Sequence, residues 1–155
     1  MKHLVAEFET MRRRFPEGFS SSLVLPCLRR IQEDRGYVAD VDIDGLAGYL
    51  GVARIQIEEV LSFYTQFRRA PIGRTHLQVC RNLSCTMRGA ERVIEHLADR
   101  LGIAPGETSA DGRFTLSTVE CLGSCGTAPV VMVDEAYHED MTPARLDALL
   151  AGLAR

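Results

Sequence analysis

Four of the five cysteines in this chain form two close pairs: Cys80 and Cys85 have four residues between them, Cys121 and Cys125 have three, and 35 residues separate the pairs. Where thiols are kept reduced, cysteines grouped in this way point to metal or redox chemistry before structural disulfides. Ferric iron is a strong Lewis acid that favours anionic sulfur. A [2Fe–2S] rhomb needs two terminal thiolates on each iron, so two pairs serve two irons. Zinc is the rival, because it also accepts four cysteines. Structural zinc sites favour two-residue spacing in tight knuckles, whereas four-residue spacing leaves a wider loop to wrap a cluster. The spacing favours iron–sulfur over zinc, and a labile disulfide pair comes third.

The residues between the cysteines point the same way. Gly123 and Gly126 remove side chains where a backbone would bend around bridging sulfides, and both can take positive φ. The freed N–H groups, with the Ser84 or Ser124 hydroxyl, can donate to sulfur and so help set a reduction potential. Taken singly, each glycine is equally well read as part of a tight turn. A Rieske-type cluster would need two histidines, and His3, His76, His96 and His138 show no matching pair. Cys27 stands alone beside Leu28 on a predicted helix and reads as a small buried hydrophobe.

The elements that must position these thiols divide the chain in two. Residues 1–70 read as helices. Val5, Phe8, Met11 and Phe15 mark the first, ended by Pro16 and Gly18. Ser20–Ser22 offer caps for a second, with Pro26 in its first turn, Leu28 and Ile31 on its apolar face and Gly36 as its stop. Asp42 is the expected cap of a third, carrying Ile43, Leu46, Ala47 and Leu50, and Gly51 turns the chain. A fourth is expected from about Arg54 to Gln66, burying Ile57, Val60, Leu61 and Tyr64 with Phe63 and Phe67 alongside. Residues 68–73 read as a linker. Beyond it His76–Cys80 alternates as a strand does. Met87, Ala90, Ile94, Leu97 and Leu101 mark a helix stopped by Gly102. Phe114–Val119 is a second strand that delivers Cys121. Val130–Val133 is an apolar run expected of a strand covered on both faces. A short piece follows at Tyr137–His138, and Thr142–Pro143 caps a last helix containing Leu146, Leu149, Leu150 and Leu153. The second lobe therefore reads β-α-β-β-α.

Composition narrows the function classes. The chain has 155 residues, 46% hydrophobic and 25% charged, which is enough for one ordinary domain or two small lobes. Its net charge of −3 announces no polyanion-binding surface. No run of 18 uncharged apolar residues occurs, so no direct membrane span is expected. Glu7 and Glu9 interrupt the start before a signal-peptide core could form, and the expected localisation is cytoplasmic.

At the cysteines the chain resembles a known family, the thioredoxin-like [2Fe–2S] subunit of the NADH dehydrogenase module of respiratory complex I. The family's four ligand positions match Cys80, Cys85, Cys121 and Cys125 one by one. The flanking text, Val79–Cys85 with Arg88–Glu91 and Glu120–Pro129, is similar to the family's signature. Arg35–Val38 and Ser62–Phe67 resemble its helical N-terminal portion. The likeness runs from about residue 15 to the end.

The resemblance implies an α+β fold: an N-terminal helical bundle over residues 1–70, serving partner docking, then a thioredoxin-like [2Fe–2S] ferredoxin domain over 74–155. It implies one [2Fe–2S] cluster, no substrate site on this chain alone, and a flavoprotein partner that binds FMN and NADH within a larger oxidoreductase. That complex would place the chain on the inner face of the cell membrane. Thioredoxin's own Cys-x-x-Cys is absent, so disulfide exchange is not expected. Gly-x-Gly-x-x-Gly after a strand is missing too, so hydride chemistry would lie in the partner while this chain moves single electrons.

Three alternatives compete. The same subunit type serves NAD-reducing or electron-bifurcating hydrogenases and NAD-dependent formate dehydrogenases, although Cys125–Pro129 and Tyr137–Thr142 look closer to complex I members. A zinc-stabilised DNA-binding protein would use Asp42–Phe67 as a helix-turn-helix, but the exposed side of the reading helix would include Gln56, Glu58 and Glu59, whose two carboxylates would repel phosphate. A free-standing ferredoxin would not need the helical lobe.

Overall fold

The computed structural model describes residues 2–153, so residue 1 and residues 154–155, at the outer ends of the two expected domains, lie outside the described residues. The chain forms two compact units, Met1–Pro71 and Ile72–Arg155.

The described part of the first unit is helical. A short 3₁₀ turn at Lys2–Leu4 leads into α1 (Val5–Arg12), which buries Phe8 and ends before Phe15, earlier than its apolar spacing suggests. Ser20–Leu23 form a 3₁₀ turn of their own, and no side-chain cap precedes α2 (Val24–Arg35), so the serines do not cap it. Pro26 occupies the first turn of α2, where its missing N–H costs nothing, and Gly36 ends the helix in the left-handed region.

α3 (Asp40–Leu50) and α4 (Arg54–Phe63) follow. Asp42 is not the cap residue of α3 but its third helical residue. Its buried carboxylate accepts the Ala39 N–H at 3.1 Å and pairs with the Arg35 guanidinium at 2.8 Å. α4 stops at Phe63 because Tyr64 turns extended (φ −91, ψ 100). Tyr64 therefore stays 40% exposed instead of entering the core, and Phe63 is 77% exposed with the Tyr64 ring edge-on at 5.0 Å. Phe8, Leu28, Ile31, Ile43, Leu46 and Ile57 are buried together in one core.

The second unit is built on four strands: β1 (Thr75–Cys80), β2 (Phe114–Val119), β3 (Val131–Val133) and β4 (Ala136–His138), in the order β2-β1-β3-β4. β1 and β2 are parallel, as a helical crossover between them requires; the β1/β3 and β3/β4 pairs are antiparallel. The crossover contains two helices, α5 (Leu83–Met87) and α6 (Ala90–Leu101). Gly89 at φ +97 separates them, so Met87 belongs to the first and is 79% exposed. α6 buries Val93, Ile94 and Leu97 against Leu77, Leu116 and other sheet residues, and α7 (Pro143–Leu153) adds Leu146 to the same core.

Two expectations change here. The piece at Tyr137–His138 is a paired strand, which makes the unit β-α-α-β-β-β-α. The apolar run at β3 is not equally covered on both faces: Val131 and Val133 are buried, while Met132, in register between Gln78 and Tyr137, is half-buried.

Candidate metal centre

The parallel pairing of β1 and β2 brings the two cysteine segments to one end of the sheet. Cys80 is the last residue of β1 and registers with Val119, the last residue of β2, two residues before Cys121. The Arg81 N–H then bonds the Val119 carbonyl at 2.9 Å, and the Cys80 Sγ lies 4.0 Å from the Glu120 carbonyl. The Arg81 guanidinium holds the Glu120 carboxylate at 2.6 Å, tying the two strand exits together in solvent.

Each remaining thiol is placed by a short local structure. Asn82 caps α5 by accepting the Leu83 N–H at 2.7 Å, which starts a helix early enough to bring Cys85 back towards Cys80. Cys80 and Cys85 are buried on an apolar bed of Ala90, Ala128 and Val130. After β2 the chain bends at Gly123, whose φ is +76 and whose N–H donates to the Cys121 Sγ at 3.2 Å. Cys125 opens a 3₁₀ turn, Cys125–Thr127, and is exposed like Cys121.

Burial pushes the Cys85 thiol above its ordinary value. A hydrogen bond with Cys80 adds to this, the Val130 backbone amide opposes it, and the charges of Cys80 and Cys125 raise it further. Val130 serves both strand and site, because its carbonyl also accepts the Cys80 N–H at 3.1 Å. An apolar bed beneath two of the thiols and a backbone N–H already on a third sulfur suit a cationic, sulfur-loving centre. Among the described residues no three His, Cys, Asp or Glu side chains converge on the position of a single ion. A two-iron rhomb asks for pairs of thiolates, not for four on one point.

Other expected features lie elsewhere or differ. Gly126 stays outside the left-handed region, so only Gly123 makes use of positive φ. The Ser124 hydroxyl does not donate to a sulfur: it donates to the Glu139 carboxylate. Three of the histidines are engaged away from the cysteines, His3 with Asp34, His76 with Ser117 and His96 with Asp147. Cys27 is fully buried among α-helical side chains, and its thiol is pushed up to about 11 by that burial.

The sequence spacing did not single out Glu139 or Arg88 as part of the site. Glu139 bonds the Ser124 and Thr127 hydroxyls, and Arg88 Nη1 donates to the Gly126 carbonyl at 3.2 Å. Arg88 lies three residues beyond Cys85 and Glu139 14 beyond Cys125, both in stretches that carry the family resemblance, but cysteine spacing gives neither a role.

Known proteins agree with this architecture. The family model of the thioredoxin-like [2Fe-2S] ferredoxin matches residues 8–154. The chain is 46% identical over 144 residues to an NADH-quinone oxidoreductase subunit of Rhizobium meliloti, covering 93% of this chain and 84% of that one. It is 46% identical over 146 residues to NADH-quinone oxidoreductase subunit 2 of Thermus thermophilus, covering 94% and 80%. In fold it is similar to a chain of an NAD+-reducing [NiFe]-hydrogenase in the air-oxidized state, with a TM-score of 0.71 at 22% identity. That match spans 83% of this chain and 22% of the other. A helical unit, a four-stranded mixed sheet and two cysteine pairs at the sheet's end, matched over nearly the whole length, make this chain a member of the thioredoxin-like [2Fe–2S] ferredoxin family.

Proposed function

We propose that Cys80, Cys85, Cys121 and Cys125 hold a [2Fe–2S] cluster, two thiolates to each iron, and that the chain is the electron-transfer subunit of an NADH:quinone oxidoreductase. The observation that carries this reading is the likeness, over almost the whole chain, to two NADH-quinone oxidoreductase subunits. The bound cluster supplies one-electron chemistry. The chain's own residues do the rest: Ala90, Ala128 and Val130 keep water from the Cys80 and Cys85 side, and the Gly123 N–H favours negative charge on the Cys121 sulfur. The exposed Cys121 and Cys125 face outward, on the side where an electron partner can approach.

The partner in this reading is a flavoprotein that binds FMN and NADH, with further subunits completing the complex. Residues 1–70 serve docking and residues 74–155 hold the cluster. Phe63, exposed beside Tyr64, supports a permanent partner on the helical unit. No described helix is long and apolar enough to cross a membrane, so a place at the inner membrane face would come through the complex. A DNA-reading role for α4 is disfavoured. Its basic residue Arg54 is bonded to Asp40, Asp44 and Glu58, and Ile55, Gln56 and Glu59 make up much of its exposed side.

The test is to tag the chain in its native cells and purify it without oxygen. A co-purifying polypeptide carrying FMN, reducible by NADH, is the expected result. A chain that keeps iron and sulfide but purifies alone, without flavin, would contradict the subunit reading and favour a free-standing ferredoxin.

A further inference from the structure

The turn that carries Cys125 closes on a long backbone hydrogen bond, Thr127 N–H to the Ser124 carbonyl at 3.3 Å. Further bonds to it come from the segment after β4. The Ser124 hydroxyl donates to Glu139 Oε1, and the Thr127 hydroxyl donates to the same oxygen at 2.7 Å. The two hydroxyl oxygens lie 2.8 Å apart. Beside them the Asp140 N–H bonds the Thr127 carbonyl at 2.7 Å and the Met141 N–H bonds the Pro129 carbonyl at 3.0 Å.

Ser124 directly precedes Cys125 and Thr127 follows two residues after, so one carboxylate grips the turn on both sides of the thiol. A hydroxyl has one proton to donate. While Ser124 and Thr127 give theirs to Glu139, neither can give it to a sulfur.

We propose that Glu139 is a positioning residue for the iron site: by accepting both hydroxyl protons it fixes where Cys125 stands and withholds the Ser124 hydroxyl from the sulfurs. This rests on the cluster-binding reading above. Glu139 touches no thiol and acts only through the turn.

Three variants separate its contributions. Glu139→Ala removes the acceptor and loosens the turn; Thr127 keeps the Ser124 carbonyl as an acceptor at 3.3 Å, and the Ser124 hydroxyl loses its carboxylate. Glu139→Gln keeps an oxygen acceptor on a side chain of the same length and removes the charge. Ser124→Ala with Thr127→Val removes the two donors and leaves the carboxylate. Each protein is purified anaerobically with its cluster, and three quantities are read: the rate of iron release to a chelator, the reduction potential, and the EPR line shape of the reduced state.

Glu139→Ala is expected to release iron about tenfold faster or more, the loss expected from charge-assisted hydrogen bonds. Its potential should rise, because a nearby negative charge is gone and a freed hydroxyl can donate to sulfur. Glu139→Gln should return the release rate to within about threefold of wild type, since a neutral acceptor retains part of the bond strength. Adding Glu139→Ala to the Ser124/Thr127 double variant should accelerate release little further, because residues acting through one network are not additive.

Wild-type release rate, potential and line shape in Glu139→Ala would overturn the proposal, as would full additivity with the double variant. So would a Glu139→Ala protein that merely melts earlier in its cluster-free form, with an unshifted potential and no rescue by glutamine. If Glu139→Ala does not fold, the glutamine variant and the double variant decide: fast release in the double and slow release in glutamine support the role, and the reverse overturns it. A wild-type protein lacking iron and sulfide would instead bring down the cluster reading itself.

Discussion

Replacing Gly123 by alanine isolates what the backbone of the second cysteine loop contributes. Gly123 sits at φ +76, and a Cβ added there meets nothing within 4 Å, so crowding neither adds to nor offsets the effect. What remains is the conformational cost of a left-handed residue with a Cβ, roughly 1–2 kcal/mol. Gly126→Ala is the internal control. Its Cβ also meets nothing within 4 Å, and its φ lies outside the left-handed region. It should be neutral or slightly stabilising, because alanine restricts the unfolded chain.

In the cluster-free protein the Gly123 strain should lower the melting midpoint of the second unit by about 4–8 °C per kcal/mol. If the loop relaxes once the cluster is gone, the strain disappears from the melt and shows instead as cluster release faster by a factor of about 5 to 30. Differential scanning calorimetry of the cluster-free proteins and chelator-driven release from the loaded ones read the two places where the cost can fall. If Gly123→Ala matched Gly126→Ala in both assays, the argument from positive φ would be refuted.

Three further outcomes follow from the same structure. Gly73→Ala would place a Cβ 2.7 Å from the Phe114 carbonyl carbon and 2.8 Å from its nitrogen, at a residue whose N–H donates to Thr115; since backbone cannot yield cheaply, it should cost about 1–3 kcal/mol in urea titration, and an unchanged midpoint would count against it. The Cys27 thiol is raised from 9.0 to about 11 by burial, so its contribution is complete below pH 9 and is lost as pH climbs towards 11. Cys27→Ala should therefore lose less stability across that window than wild type, and equal losses would contradict the burial argument. Cys125→Ser should leave the helical unit's circular dichroism intact while lowering cluster iron, and an unchanged iron content and spectrum would speak against Cys125 as a ligand.

The parts of this fold that repeat or alternate were legible in the sequence. The alternation of His76–Cys80 located β1 and the run Phe114–Val119 located β2, and with them the strand ends from which both cysteine pairs emerge. The apolar periodicity of α2, α3 and α6 located helices that bury most of the expected side chains, among them Leu28, Ile31, Ile43, Leu46, Ile94 and Leu97, while Met87 falls outside α6.

Tertiary competition hid the rest. A glycine between two helical stretches does not say which way the chain turns, so the break at Gly89 was invisible within one apolar pattern. Ser20–Ser22 had the right chemistry to cap a helix, but the chain uses them as a separate turn. Asp42 suited a cap as well, yet its pairing with Arg35 and the Ala39 amide hold it within the first turn of α3. Tyr64 followed the helical period, and its extended backbone still turned it outward. At the site, the serine before Cys125 had the chemistry to donate to sulfur, and a glutamate 15 residues later in sequence accepts its proton instead. Such a partner exists only once β3 and β4 have folded back beside the loop.

The most direct measurement is metal and sulfide analysis of the anaerobically purified protein, with EPR after dithionite reduction. About two irons and two acid-labile sulfides per chain, with a spin-half signal on reduction, is the predicted result. One zinc per chain with no sulfide and no signal would contradict it and return the four cysteines to a structural metal site.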